Sequence, residues 1–175
     1  MSRSIKDTDT IYKKARIEAS NSNDKLRSRE GASEILGVSP SSLLNYETGV
    51  CKQIPTDVVV KMAEIYNAPE LMNYYCCNEC VIGRHIAPQV EILAMDRITI
   101  QIVSSLENIN EVKKELLDIT EDGIITEGEK PKLEHIVKTL DKIEKESREL
   151  KLWVQKNFRG KEEFNYGANK GNFRY

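Results

Sequence analysis

The sequence predicts an all-α protein with two parts, a compact domain of five short helices and then a long antiparallel helical hairpin. Two observations support this prediction. Between residues 9 and 80, apolar side chains recur at helical spacing in short runs that end near glycine or proline. Between residues 91 and 158, they recur every three or four residues along two longer runs, which is the spacing of a coiled coil.

The segment from Ser28 to Gly49 predicts two short helices joined by a tight turn. Gly37 stands where such a turn needs a left-handed residue. Ser39 is a good N-cap for the second helix, and Pro40 at the first helical position loses only an amide that would have no helical partner. This spacing predicts inward-facing side chains at Ile35, Leu36, Val38, Leu43 and Tyr46.

The outward face of the second helix is small and mostly polar, with Ser41, Ser42, Leu44 and Asn45 on it. A short helix with such an N-terminal end fits the DNA major groove, where side chains read the base edges. Asn45 is best suited to base reading, because an amide can form two hydrogen bonds with adenine. Leu44 either contacts a thymine methyl group or is partly buried.

Two further helices complete the compact domain. The residue before a proline is biased away from helix, so residues 51–55 are predicted to form a loop. Thr56 can cap a helix that runs to about Tyr66, and Pro69 can start a short fifth helix that leads into the cysteine cluster. Residues 1–8 are assigned to an N-terminal tail.

The compact domain resembles the helix-turn-helix family of Cro and lambda repressor, of the xenobiotic response element type, over roughly residues 9–75. The residues that carry the resemblance are Gly37, Val38, Ser39, Leu43 and Tyr46 to Gly49. It implies a five-helix DNA-binding domain of a transcriptional regulator, a repressor that occupies an inverted-repeat operator as a dimer. It also implies a structural ion pair between Arg16 on the first helix and Glu47 near the end of the recognition helix.

The resemblance makes double-stranded DNA the expected partner. In that family a glutamine opens the second helix and touches a phosphate, and Arg29 fills its place here. The expected DNA-contacting residues are Arg29, Ser39, Ser41, Ser42, Leu44, Asn45 and Lys52. The competing interpretation is a protein–protein adaptor that uses the hairpin and whose helix-turn-helix no longer reads DNA.

Composition limits the classes of function that remain. The net charge of −2 excludes binding to nucleic acid through overall charge alone, so operator binding needs a local basic face. Candidate residues for that face are Lys13, Lys14, Arg27, Arg29 and Lys52. No run approaches the roughly 20 apolar residues that a membrane span needs, and the N-terminus lacks the apolar core of a signal peptide. A cytoplasmic protein without membrane contact is expected.

No catalytic constellation is recognisable in the sequence. Neither His85 nor His135 has an evident nucleophile beside it, and no glycine-rich phosphate loop is present. We therefore expect neither an enzyme nor a bound cofactor.

The cysteines raise the question of a metal site. Cys77 and Cys80 have the CxxC spacing of a zinc ligand pair, and Cys76 and His85 lie close by in the sequence. A structural zinc site normally uses two such pairs, and a second pair is missing. The favoured interpretation is free thiols at a helix end.

Residues 81–90 are predicted to link the compact domain to a hairpin over residues 91–158. The seam of the first arm is predicted at Met95, Ile98, Ile102, Ser105, Ile109, Val112, Leu116 and Ile119. The seam of the second arm is predicted at Leu133, Ile136, Leu140, Ile143, Ser147, Leu150 and Val154. Two arms of about 30 residues would each be roughly 45 Å long.

The apolar stripe of the hairpin is wider than one seam. Further apolar residues lie beside it, at Val103, Leu106, Leu117, Val137, Leu152 and Trp153. A stripe of this width normally packs against more than one neighbour, which favours a homodimer whose two hairpins form a four-helix bundle. The alternative is a bundle within one chain, packed on the DNA-binding domain.

The predicted turn of the hairpin partly matches a calcium-binding loop. Asp118, Asp122 and Glu129 fall at positions 1, 5 and 12 of an EF-hand pattern, but Thr120 is a poor ligand at position 3. The favoured alternative is a plain turn in which Thr126 and Glu129 form a capping box for the second arm.

A basic and aromatic tail over residues 159–175 follows the hairpin. Its aromatic side chains could stack on nucleic acid, dock on a protein surface or simply belong to a frayed terminus.

Overall fold

The computed structural model describes residues 9–120 and 126–158. Within these ranges all regular secondary structure is helical, so the predicted all-α class is confirmed. The chain divides into two compact units, residues 1–89 and residues 90–175. The two tails assigned from the sequence, residues 1–8 and 159–175, lie outside the described residues.

The first unit is built from short helices. Its described elements are α1 (Ile11–Ala19), a 3-10 turn (Asp24–Arg27), α2 (Arg29–Leu36), α3 (Pro40–Thr48), α4 (Thr56–Ile65), α5 (Glu70–Asn78) and α6 (Gly83–Ile86).

Local signals fix the ends of α2 and α3. The side chains of Ser28 and Ser39 each accept a hydrogen bond from an amide in the first turn of the helix that follows, at 3.0 Å. Gly37 and Gly49 close the two helices in the left-handed conformation, with φ of 73° and 72°. Because other residues rarely adopt this conformation, the two glycines define where each helix ends.

One hydrophobic core holds the first five helices together. Leu36 from α2 and Leu43 from α3 are fully buried in it. Ile35, Val38 and Tyr46, also predicted to face inward, are partly buried and pack against its edge. Fully buried members from the other elements include Leu26, Met62 and Leu71. With one side of α3 packed in this core, its opposite side is left exposed.

Part of the predicted linker is helical. Residues 83–86 form α6, which packs back on α5. Gly83 is buried there, and a Cβ at this position would stand 2.3 Å from the carbonyl oxygen of Cys76. The amide of Gly83 also donates to the sulfur of Cys80, at 3.3 Å. The close packing of α6 on α5 therefore requires a glycine at this position. The apolar periodicity of the sequence does not reveal such a requirement.

The second unit is a hairpin of longer helices. Its described elements are α7 (Met95–Glu107), α8 (Ile109–Thr120), a 3-10 turn (Glu127–Glu129) and α9 (Lys130–Phe158). Helix α9 packs against both α7 and α8. Leu133 and Ile136, near the start of α9, share a cluster with Val112 and Ile119 of α8. Since α9 then continues along α7, the two arms are antiparallel.

The first arm is two helices instead of the predicted single one. It is interrupted at Asn108, whose backbone N–H bonds to the carbonyl of Leu106 and not to a carbonyl four residues earlier. Asparagine favours such breaks because its side chain competes for backbone groups, and here its amide donates to the carbonyl of Ser104 at 3.4 Å. The second arm, α9, is continuous over 29 residues, about 44 Å.

The predicted seam is correct in part. Ile98, Ser105, Val112, Ile119 and Ile136 are buried as predicted, together with the flanking Leu152. Met95, Leu116 and Leu140 are exposed, and the remaining seam positions are half-buried. Towards the end of α9 the buried residues are Glu146, Glu149 and Leu152, while the seam positions Ser147, Leu150 and Val154 are half-buried.

The segment 90–94 explains the shift on α9. It is not helical, and the amide of Glu91 within it donates to the Glu149 carboxylate at 3.3 Å. This segment therefore contacts α9 at Glu149, beside the predicted seam. A pattern built on two helices does not reveal a contact with a third, non-helical segment.

Candidate nucleic-acid interface

The exposed face of α3 is the candidate interface. Ser41, Leu44, Asn45 and Thr48 are exposed along one side of this helix, and Leu44 is 39% exposed. Leu44 thus faces solvent, as a contact with a thymine methyl group would require. Thr48 belongs to the same stripe and was missed from the sequence. Its hydroxyl donates a hydrogen bond to the carbonyl oxygen of Leu44 at 2.8 Å, and the hydroxyl oxygen can still accept one.

Two of the expected DNA-contacting serines form the cap of α3. The hydroxyl oxygen of Ser39 accepts the amide of Ser42 at 3.0 Å, and the two hydroxyl groups are 2.8 Å apart. Ser39 is exposed and Ser42 is half-buried. Their first role is therefore to start the helix, whereas Ser41 and Asn45 make no side-chain hydrogen bond within the described residues.

A buried ion cluster fixes α3 from behind. Glu47 is 2% exposed and Arg16 is 3% exposed. Arg16 Nε donates to Glu47 Oε1, and Arg16 Nη2 donates to Oε2 at 3.2 Å. The ion pair implied by the family resemblance is present. Arg16 Nη1 also donates to the carbonyl of Leu26 at 2.7 Å, so the same guanidinium holds the 3-10 turn.

The cluster extends to three helices. Arg29 at the start of α2 donates through Nε to Glu47 Oε2, at 2.8 Å. The hydroxyl of Thr10, the N-cap of α1, donates to the backbone carbonyl of Glu47 at 2.8 Å. Glu47, a residue of α3, is therefore hydrogen-bonded to residues at both α1 and α2. Charge-assisted bonds of this kind are strong and directional, so they set the orientation of α3.

The charges of the ion cluster affect the pKa of a neighbouring tyrosine, Tyr66. Tyr66 is buried, and its hydroxyl has no hydrogen-bond partner in the described part of the chain. Burial raises its pKa above the ordinary value, the Glu47 carboxylate raises it further, and Arg16 lowers it. The tyrosine therefore stays neutral beside the ion cluster.

Arg29 makes a contact within the protein, and its phosphate contact stays a prediction. It was expected on a phosphate, but its side chain is only 29% exposed and its Nε is bonded to Glu47. The arginine is drawn inward because Glu47 has two oxygens and Arg16 does not saturate them. Arg29 is a structural member of the cluster.

Ion pairs reduce the positive charge of two other residues predicted to form the basic face. Lys13 pairs with Asp9 and Arg27 pairs with Asp24, so their charges are partly compensated. Lys52 is exposed after α3 and has no ion pair among the described residues. Lys61 on α4 was not considered from the sequence. Its Nζ lies 3.9 Å from where a Cβ would stand on Gly37, directly beside the turn before α3.

The cysteine cluster serves packing. Within residues 9–120 and 126–158 no group of histidine, cysteine and acidic side chains is arranged to hold a metal ion, and the cysteines are free thiols. The sulfur of Cys77 lies 3.6 Å from the carbonyl of Ala87, and the sulfur of Cys80 accepts the Gly83 amide. Cys76 is half-buried under Gly83, and His85 is exposed.

The described part of the calcium-loop candidate fits the capping alternative. Glu129 accepts the backbone N–H of Thr126 at 2.8 Å and its hydroxyl at 2.7 Å. Asp118 is exposed near the end of α8, and Asp122 lies outside the described residues. Glu129 is thus engaged at the start of the second arm.

The two flanks of the hairpin differ in chemistry. On one flank, the Nδ1 of His135 and the Oε2 of Glu115 are 2.8 Å apart, which raises the pKa of His135 above 6.5. Helical periodicity places a second set of side chains on the opposite flank. These side chains are exposed and apolar: Val103, Leu106, Leu117, Val137 and Leu140.

Among the described residues, no helix is long and apolar enough to cross a membrane. No protein-family model, curated protein or solved structure matches the chain.

Proposed function

We propose that the protein is a sequence-specific DNA-binding transcriptional regulator that acts as a dimer on an inverted-repeat operator, in the manner of a repressor. The observation that supports this most is the exposed stripe of α3, Ser41, Leu44 and Asn45, held from behind by the buried cluster of Arg16 and Glu47. A helix that reads bases must present small polar groups in a fixed orientation.

Each side chain of the stripe has a chemical role in this proposal. The Asn45 amide donates to and accepts from an adenine edge, which a single amide can satisfy in the major groove. Leu44 packs on a thymine methyl group, and the hydroxyl of Ser41 bonds to a base or a nearby phosphate. Lys52, exposed after α3, contributes a phosphate contact.

The dimer follows from the apolar flank of the hairpin. One recognition helix contacts too few base pairs for specificity, while two copies read half-sites about 34 Å apart. Exposed Val103, Leu106 and Leu117 lie on the same flank as Val137 and Leu140 of α9. A second hairpin placed on this flank removes these side chains from water and completes a four-helix bundle.

The same flank also suits the adaptor alternative, in which another protein covers it. The two proposals differ in what α3 does, because an adaptor has no use for base-reading side chains.

Asn45→Ala tests the proposal on duplexes enriched from a random library. We expect operator affinity to fall by about 1–3 kcal/mol and the preference at one base pair to be lost. Asn110→Ala on α8 is the matched control, since both are exposed helical asparagines without a side-chain hydrogen bond in the described chain. Equal affinities for the two variants would refute the reading role of α3.

A further inference from the structure

Lys61 lies in an unusual place for a surface lysine. It belongs to α4, yet its ammonium group lies beside Gly37, in the turn that joins α2 to α3. The Gly37 turn is exposed, and the exposed Ser39 and Ser41 follow it. The charge is therefore held at the N-terminal end of the candidate reading helix by the packing of α4 on α2.

The protein accounts for this position only in part. Lys61 is exposed, and it makes no ion pair or hydrogen bond within residues 9–120 and 126–158. Its ammonium lies at the C-terminal end of α2, where the helix dipole favours a positive charge. The carbonyl oxygen of Ser33 in the last turn of α2 already accepts the amides of Gly37 and Val38, at 2.9 and 3.1 Å. The three N–H donors of the ammonium therefore face solvent beside the start of α3, where an anion can accept them.

We propose that Lys61 contacts a DNA phosphate at the edge of the groove that α3 enters, an inference that rests on the function proposed above. The N-terminal end of a reading helix lies in the groove while neighbouring elements meet the sugar-phosphate backbone. Lys61 lies at the turn before α3, whereas Arg29, the arginine expected on a phosphate, is bonded to Glu47 at the start of α2. The Lys61 contact positions α3 and carries no sequence preference.

Lys61→Met removes the charge and keeps most of the apolar stem. We expect affinity to fall on the order of threefold to tenfold at moderate salt, equally for enriched and scrambled duplexes. The plot of log affinity against log salt should become shallower by about one unit. Lys61→Arg should retain both values, because a guanidinium also binds phosphate.

Lys138→Met on α9 is the control, since it removes one charge from another exposed lysine, which lies on the hairpin beside the exposed Glu134. If Lys61→Met shows the same salt slope and affinity as this control while Asn45→Ala loses its base preference, Lys61 does not contact phosphate but α3 reads DNA. If the unaltered protein binds no duplex, the proposed function and this inference both fail.

Discussion

The two units differ in how their fully buried carboxylates are bonded. In the first unit the buried carboxylate of Glu47 has both oxygens bonded to arginines. In the second unit Glu146 and Glu149 are also buried, but each has an oxygen without a hydrogen-bond partner in the described chain. A buried oxygen without a partner is costly, so these two carboxylates stabilise the hairpin less than Glu47 stabilises the first unit.

The surfaces of α3 and α7 differ in their exposed apolar side chains, although the first unit also exposes Val81, Ile82 and Ile86. On α3 only Leu44 is large, apolar and exposed, whereas α7 alone exposes Met95, Ile100, Val103 and Leu106. In the proposed function, α3 reads DNA through its polar groups, and a second copy of the chain covers the apolar flank of the hairpin.

The largest expected effect is on the buried cluster of the first unit. Glu47→Ala leaves Arg16 buried without a counter-charge, which costs about 3–5 kcal/mol of unfolding free energy. Glu34→Ala, at an exposed position of α2, is the control and should change stability far less. Urea unfolding combined with hydrogen exchange of the α1–α5 amides measures both. A loss no greater than that of the control would mean that the cluster does not hold this unit together.

The next effect is on self-association. Leu106→Asp puts a charge on the apolar flank, and we expect dimer affinity to fall by about a hundredfold, near 2.7 kcal/mol. Ser104→Asp places the same residue on the opposite flank of α7 and should leave the dimer intact. Sedimentation velocity distinguishes the two. Dissociation by both variants, or by neither, would place the interface elsewhere.

Replacing a buried carboxylate of the hairpin by an apolar side chain should raise the stability of this unit. Glu146→Leu replaces a buried carboxylate that has one oxygen without a partner, so we expect a gain of about 1–2 kcal/mol. Trp153 is the one tryptophan of the sequence and lies on α9, so its fluorescence follows unfolding of this unit. The exposed Glu134→Leu is the control. Destabilisation by Glu146→Leu would show that the ion pair of Glu146 Oε1 with Lys142, at 3.8 Å, outweighs the cost of burying the carboxylate, and the contrast between the units would be lost.

The smallest effect concerns pH. The hydrogen bond to Glu115 raises the pKa of His135 in the folded state. This pair therefore contributes its full stability below pH 6.5, the unfolded value, and loses it as the pH rises through the higher folded pKa. Melting followed through Trp153 should show a small decrease in midpoint over this range. The decrease should vanish in Glu115→Gln; its persistence there would mean that another group causes it.

Local signals made much of the first unit predictable. The caps at Ser28 and Ser39, and the left-handed Gly37, each act within a few residues of the chain. The exposed stripe of α3 follows from helical periodicity once the inward residues are known. The ion pair of Arg16 and Glu47, by contrast, was implied by the family resemblance and not by spacing.

What sequence reasoning missed depends on contacts between distant elements. Arg29 turns inward because a carboxylate from α3 reaches it, and Lys61 comes near Gly37 because α4 packs on α2. Glu149 contacts a non-helical segment, residues 90–94, which a coiled-coil pattern does not include. None of these contacts leaves a periodic or local signature in the chain.

Selection of bound duplexes from a random DNA library by the purified full chain, at moderate salt, is the decisive experiment. We expect enrichment of an inverted repeat whose half-sites lie about one helical turn, or 34 Å, apart. The Leu106→Asp variant, run in parallel, should enrich single half-sites or none. Binding without an enriched sequence, or no binding at all, would contradict a DNA-reading first unit and favour the adaptor.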